Sequence, residues 1–251
     1  MRPPASARLG TVCAVLALIP PANRAEPWTA TPHPRLLLDT AGIARLREKV
    51  RQPPWADAWA KRLRALDVAM AQPLRLPPRG GNWYHNYVCP EHGARLRNGD
   101  RIGEWSWEHQ CPVGPHTLRG DPAIGARDFD GCVIAEIHGG LAAQARDAGL
   151  AWAVTGEERY AERAAQIVRA YTSAYMTYPR HDNQGRPVRS PGAGGRVASQ
   201  PLSEATWLVP LLHGADFVWT RLAEEDRRRF ESNLVRAAIA ETIRNPDARP
   251  C

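Results

Sequence analysis

The chain has 251 residues and a formal charge of +7, enough for one large domain or two small ones with a sizeable core. Its longest apolar run, Leu9 to Ile19, is too short to cross a bilayer. No basic run carries interleaved aromatics, so nothing in the pattern argues for a nucleic-acid partner.

Residues 1–25 read as a secretory signal peptide. Arg2 and Arg8 give the charged start, Leu9 to Ile19 the apolar stretch, and Pro20 to Ala25 the small residues for cleavage. That predicts a periplasmic or secreted protein. Arg2, Arg8 and Arg24 would leave with the leader, and the remainder, 26–251, would carry +4. A mildly basic surface suits an acidic polymer, and equally suits an ordinary arginine-rich protein.

After His33-Pro34-Arg35, Asp39 or Thr40 can cap a helix through about Arg51, with Ile43, Leu46 and Val50 on one face. Pro53-Pro54 ends it. Trp55, Trp59, Leu63, Leu66 and Met70 mark a second helix, and their spacing predicts that the tryptophans belong to the core. Residues 72–130 show no long periodic segment. They are rich in Pro, Gly, His, Cys and Trp, and an insertion of that length carries either function or a small structure of its own.

From Val133 the chain reads as helical apart from Tyr178 to Gly195. Ile134, His138, Leu141, Ala145, Ala148 and Trp152 form one stripe. Thr155 and Glu158, around Gly156, have the spacing of a capping box. Tyr160, Ala164, Ile167, Val168, Tyr171 and Tyr175 form the next stripe. Pro201 suits the first turn of a third helix, and Pro210 suggests a kink within it. A last helix is expected over about 223–243, with Phe230, Leu234 and Ala238 inward.

These segments carry a resemblance. GLAWAVTGEERYAERAAQIVRAY followed by GGRVASQPLSEATWLVPLLHGADFVW, with HPRLLLDTAGIARLREKV near the start, resembles the N-terminal helical part of heparinase II/III-type polysaccharide lyases, a group that includes alginate and oligoalginate lyases. The likeness runs from about Pro32 to Ile243. It implies a mainly all-α fold, an incomplete (α/α) toroid of helical hairpins with 72–130 inserted. A tetratricopeptide-like solenoid is the alternative. Irregular unit lengths and the Cys/His insertion argue against it.

Two groups of residues are candidates for function. In the insertion, Cys89-Pro90-Glu91-His92 and His109-Gln110-Cys111-Pro112 look like two knuckles of a zinc ribbon. The resemblance implies a second cysteine where Gly114 stands, so His109 or His116 would complete a set of Cys89, His92 and Cys111. The metal would be a structural zinc. A Cys89–Cys111 disulfide, a Cys111–Cys132 disulfide and reduced buried thiols remain open.

The second group is a groove. Arg196, Gln200 and Glu204 open the third helix, and Tyr175, Tyr178 and His181 close the second. Arg196 can pair with a uronate carboxylate, and the aromatic groups can stack on a sugar. Each also has a plain structural role open to it, and His138 and His213 read as core histidines.

The resemblance implies β-elimination on an acidic, uronate-containing polysaccharide. The catalytic elements it implies fall beyond Ile243, so no catalytic residue is assigned, and the chain alone is expected to be inactive. A carbohydrate-binding remnant is one alternative. An α/α-barrel glycoside hydrolase using Glu204 and Asp216 is another.

Overall fold

A computed structural model describes residues 32–190 and 192–242, without the side chains of 241 and 242. The signal expected over 1–25 lies outside the described residues. Pro32 onward forms one compact unit.

The structure is mainly helical. Asp39 caps α1 (Thr40–Lys49), its Oδ1 accepting the Gly42 amide at 2.6 Å. The Arg47 guanidinium then donates twice to the Ala153 carbonyl, at 2.6 and 3.0 Å. α2 (Trp55–Met70) lies at the edge and packs on its neighbours through Leu63, Leu66 and Met70. Trp55 departs from expectation. It is about half exposed, with the Lys49 ammonium 3.9 Å from its ring centre. An edge helix has only one covered side, and Trp55 begins the helix outside it.

α3 (Phe129–Thr155) is the central helix. Asp128 caps it through the Gly131 amide, and Gly156 ends it in the left-handed conformation at φ 78°. The capping box does not form. Thr155 is still the last residue of α3, and its hydroxyl donates to the Ala151 carbonyl and accepts the Glu157 amide. α4 (Glu158–Ala174) buries Tyr160, Ala164, Ile167, Val168 and Tyr171, the expected stripe. Burying Ile167 and Val168 contributes about 1.5–3 kcal/mol each.

α5 (Pro201–Phe217) starts at Pro201 and continues through Pro210. It crosses α3 closely because small residues meet. A Cβ added to Gly214 would lie 2.6 Å from the Ala145 backbone carbon. The expected last helix is divided. α6 (Glu224–Arg229) runs into a π-turn (Phe230–Arg236) and then α7 (Ala237–Thr242). Phe230, Leu234 and Ala238 still point inward and are buried.

The insertion has its own architecture. β1 (Arg97–Gly103), β2 (Ser106–Gln110) and β3 (Thr117–Arg119) form an antiparallel sheet in the order β1-β2-β3. β2 alternates, with Trp107 and His109 inward. With Tyr87, Leu96 and Phe129 they make a second small core against the start of α3.

Candidate functional site: a polar-aromatic groove and a Cys/His cluster

A groove of about 680 Å³ opens between residues 82–85, the first half of α3 and the start of α5. One wall is the loop Asn82-Trp83-Tyr84-His85. Gly81 lets this loop press on α3, where an added Cβ would lie 2.5 Å from Ala135. The Gly81 amide donates to the Val197 carbonyl at 2.8 Å, joining this wall to the floor. Asn82 is buried. Its Nδ2 donates to the Gly125 carbonyl at 2.6 Å, and its Oδ1 accepts the Trp83 amide at 2.7 Å. That leaves Trp83 partly exposed and Tyr84 half exposed at the lip, with the His85 ring against both, edge-on to Trp83 at 4.4 Å and tilted on Tyr84 at 3.9 Å.

The floor is residues 197–199, and Glu204 organises it. Its carboxylate is about 1% exposed. It accepts the Ala198 amide at 2.6 Å, the Val197 amide at 3.1 Å and the Arg196 amide at 3.3 Å. Burial pushes its pKa up, and the Ala198 amide, the Tyr175 hydroxyl and the Val197 and Arg196 amides pull against that.

The residues expected to hold sugar separate accordingly. Gln200 lines the groove, its Nε2 donating to Ser203 Oγ at 3.0 Å. Tyr175 is fully buried and stacks on Trp207 at 5.9 Å. Tyr178 is buried, its hydroxyl donating to the Pro77 carbonyl at 2.7 Å. Glu204 lies under the floor. Arg196 turns away, donating to the Tyr178 carbonyl at 2.7 Å. His181 donates through Nε2 to the Gly81 carbonyl and lines a smaller hollow with Arg79 and Arg180. Five of the six thus support the groove or lie outside it, because backbone groups at the end of α4 and before α5 need these partners. Trp83, Tyr84 and His85 escaped the sequence reading. The run Asn82-Trp-Tyr-His after two glycines was the available signal.

His138 closes the inner side of the groove as a satisfied core histidine. Its Nδ1 accepts from the Tyr171 hydroxyl at 2.8 Å, and Nε2–H donates to the Arg79 carbonyl at 2.9 Å. Burial lowers its pKa to about 4. Neither carboxylate of the hydrolase alternative faces this groove. Asp216 accepts the backbone amides of Arg35 and Leu36 and binds His33 at 2.5 Å.

The second constellation lies in the insertion. Cys89, His92, Cys111 and His116 each offer one ligand atom, all within 4.8 Å of one another. His92 Nδ1 is 3.5 Å from both sulfurs, and His116 Nε2 is 3.3 Å from Cys89 Sγ. Two tight turns make this possible. The Gly93 amide donates to the Cys89 carbonyl, and the Gly114 amide donates to Cys111 Sγ at 3.4 Å. Burial raises the Cys111 pKa, but the amides of Gly114 and Val113, with Cys89 and His92, outweigh it and leave the thiol below its usual range. These four residues could hold a metal ion.

His109 does not join them. It is fully buried, with Nδ1 bonded to the Tyr87 hydroxyl at 2.8 Å and Nε2 to Asp130 at 3.1 Å. Alternation along β2 points its ring into the small core, so His116 takes the fourth place. The Cys111–Cys132 pairing is not formed. Cys132 donates to the Trp83 carbonyl at 3.4 Å, and burial pushes its pKa up to about 12. All three described cysteines are free thiols.

Comparison with known proteins bears on the helical part. Residues 138–241 match a family described as alginate lyase. The chain is 37% identical over 89 residues to an exo-oligoalginate lyase of Saccharophagus degradans, covering 36% of this chain and 11% of that protein. It is 29% identical over 100 residues to an alginate lyase of Stenotrophomonas maltophilia, covering 39% of this chain and 13% of that one. The matches support an alginate lyase-like polysaccharide lyase. The aligned part spans little more than a tenth of these relatives' length. The matched region holds His138, the floor and α5, one side of the groove. The aromatic lip and the Cys/His cluster fall before it. No helix among the described residues is long and apolar enough to cross a membrane.

Proposed function

We propose that this chain supplies the helical, sugar-binding part of a lyase for uronate polymers, with alginate the first candidate. The observation that carries this reading is the groove. It pairs an aromatic lip, Trp83 to His85, with the amide and hydroxyls of Gln200, Ser199 and Ser203. Sugars bind through such pairings: apolar ring faces stack on aromatic rings, and hydroxyls bond amides and other hydroxyls. The family match covers one wall. The helical hairpins are read as part of an (α/α) toroid of the heparinase II/III type, and the leader expected at 1–25 would place the protein in the periplasm or outside the cell.

β-Elimination needs the uronate carboxylate neutralised, a base for the C5 proton and an acid for the leaving oxygen. The groove serves binding better than that chemistry. Its one charged lining side chain, Glu136, would oppose a uronate carboxylate. The Asn82 amide is already bonded to Gly125. We therefore propose that the chain by itself binds oligouronates without cleaving them.

The Cys/His cluster is proposed to hold one structural zinc. Ideal zinc bonds of about 2.3 Å to sulfur and 2.0 Å to nitrogen at tetrahedral angles place S and N about 3.5 Å apart. The S–N separations of 3.3–3.5 Å come close to this. One Nδ1–H cannot donate well to both sulfurs, whereas one cation satisfies all four ligands.

The test is alginate incubated with the protein and followed by the ultraviolet absorbance of unsaturated uronate, in parallel with oligosaccharide titration. Binding without absorbance supports the reading. Absorbance that disappears in Tyr84→Phe or His85→Ala would show that the lip performs the elimination. Absence of both signals would end the lyase reading for this groove.

A further inference from the structure

A groove for a polyanion needs a cation, and its own lining supplies only Glu136. The missing charge stands just outside. Arg95 lies on the short hairpin of residues 87–96, where Val88 bridges Arg95, and the Cys89 and Leu96 amides donate to the Ala94 and Tyr87 carbonyls. Its guanidinium carbon is 5.6 Å from the centre of the Tyr84 ring, and its Nη2 is 3.5 Å from Glu136 Oε1. Both of those residues line the groove.

The Arg95–Glu136 contact is long for an ion pair, and both side chains are more than half exposed. Such a pair holds its partners weakly. The guanidinium has five N–H donors, and its other donors meet no protein acceptor among the described residues. It can keep Glu136 on one edge and offer the other edge to a second carboxylate. The Tyr84 ring, 5.6 Å from the guanidinium carbon, attracts the cation to the lip.

We propose that Arg95 is the groove's carboxylate-binding residue, pairing with one uronate carboxylate of the bound chain and screening it from Glu136. This rests on the groove being a uronate site, and it adds a residue on the Cys/His-bearing insertion to a site whose matched wall is the helical domain. Arg95 selects acidic over neutral sugar, while the aromatic lip binds either.

The experiment is calorimetric titration of the full chain with trimannuronate and with its carboxyl-reduced counterpart, mannotriose. Arg95→Ala is expected to weaken trimannuronate binding about tenfold and to leave mannotriose within about twofold. Arg95→Lys should recover part of the loss, because an ammonium keeps the charge without the bidentate edge. Glu136→Gln should tighten trimannuronate alone. The thermal midpoint of each variant checks folding. If wild type prefers trimannuronate and Arg95→Ala keeps that preference, the assignment is overturned. If wild type binds neither sugar, the groove is no uronate site and the proposed function falls with it.

Discussion

Cys89 Sγ and His116 Nε2, 27 residues apart in sequence, lie 3.3 Å apart. The contact joins the hairpin after the groove lip to the turn between β2 and β3. Bound metal would tie these turns together and couple ion binding to folding of the insertion. Purified protein should therefore carry about one zinc per chain. A strong chelator should lower its thermal midpoint and weaken oligouronate binding, since Trp83 to His85 and Arg95 flank the clamped hairpin. Cys111→Ser should lose the metal. His109→Ala should keep it while loosening the small core. Metal analysis of these two variants decides the ligand set. Zinc lost from His109→Ala and retained by His116→Ala would reverse the assignment.

The buried His138 gives a pH dependence with a definite sign. Burial holds its imidazole at about 4, below the 6.5 of an unfolded chain. Between those values the unfolded state binds the extra proton. Stability contributed by the neutral ring is complete above about 6.5 and falls as pH drops toward 4, by on the order of 3 kcal/mol. The raised pKa of Glu204 acts in the opposite sense. Urea unfolding of wild type and His138→Gln from pH 4 to 7 isolates the histidine. The variant should lose stability less steeply, and parallel curves would contradict the assignment.

Glu204 is a structural anchor in this fold. Glu204→Ala would leave the buried amides of Val197 and Ala198 without their acceptor. Each unsatisfied amide costs about 1–3 kcal/mol. A loss of about 3 kcal/mol in denaturant unfolding is expected, with the milder Glu204→Gln near 1 kcal/mol. A variant as stable as wild type, yet deficient in sugar binding, would return Glu204 to the group that touches substrate.

The helices were legible because their burial is periodic. The α4 stripe, the Asp39 cap, Pro201 at the start of α5 and the inward Phe230, Leu234 and Ala238 all follow from spacing and local chemistry. The sheet was not, because β1, Arg-Asn-Gly-Asp-Arg-Ile-Gly, is almost wholly exposed and carries no alternation. The Cys/His cluster was legible for Cys89, His92 and Cys111, where the spacing within each turn is local. Choosing His116 over His109 needed the strand register that turns His109 inward. Most of the residues expected to line a groove are engaged elsewhere for a similar reason. Polar residues near a helix start look available in sequence, whereas Glu204 and Arg196 are taken by backbone groups of neighbouring segments. The lip sits in a loop whose position depends on Gly81 meeting Ala135, a contact between residues 54 apart.

The most direct test of the account is occupation of the groove itself. Ser203 lines it at the start of α5, and a large ring there would fill the space. Trimannuronate should be titrated into wild type, Trp83→Ala and Ser203→Trp, with each variant's thermal midpoint measured alongside. The account predicts saturable binding by wild type, at least tenfold weaker binding by both variants and unchanged midpoints. Equal binding by all three proteins would place the sugar elsewhere on the molecule and contradict the groove as the functional site.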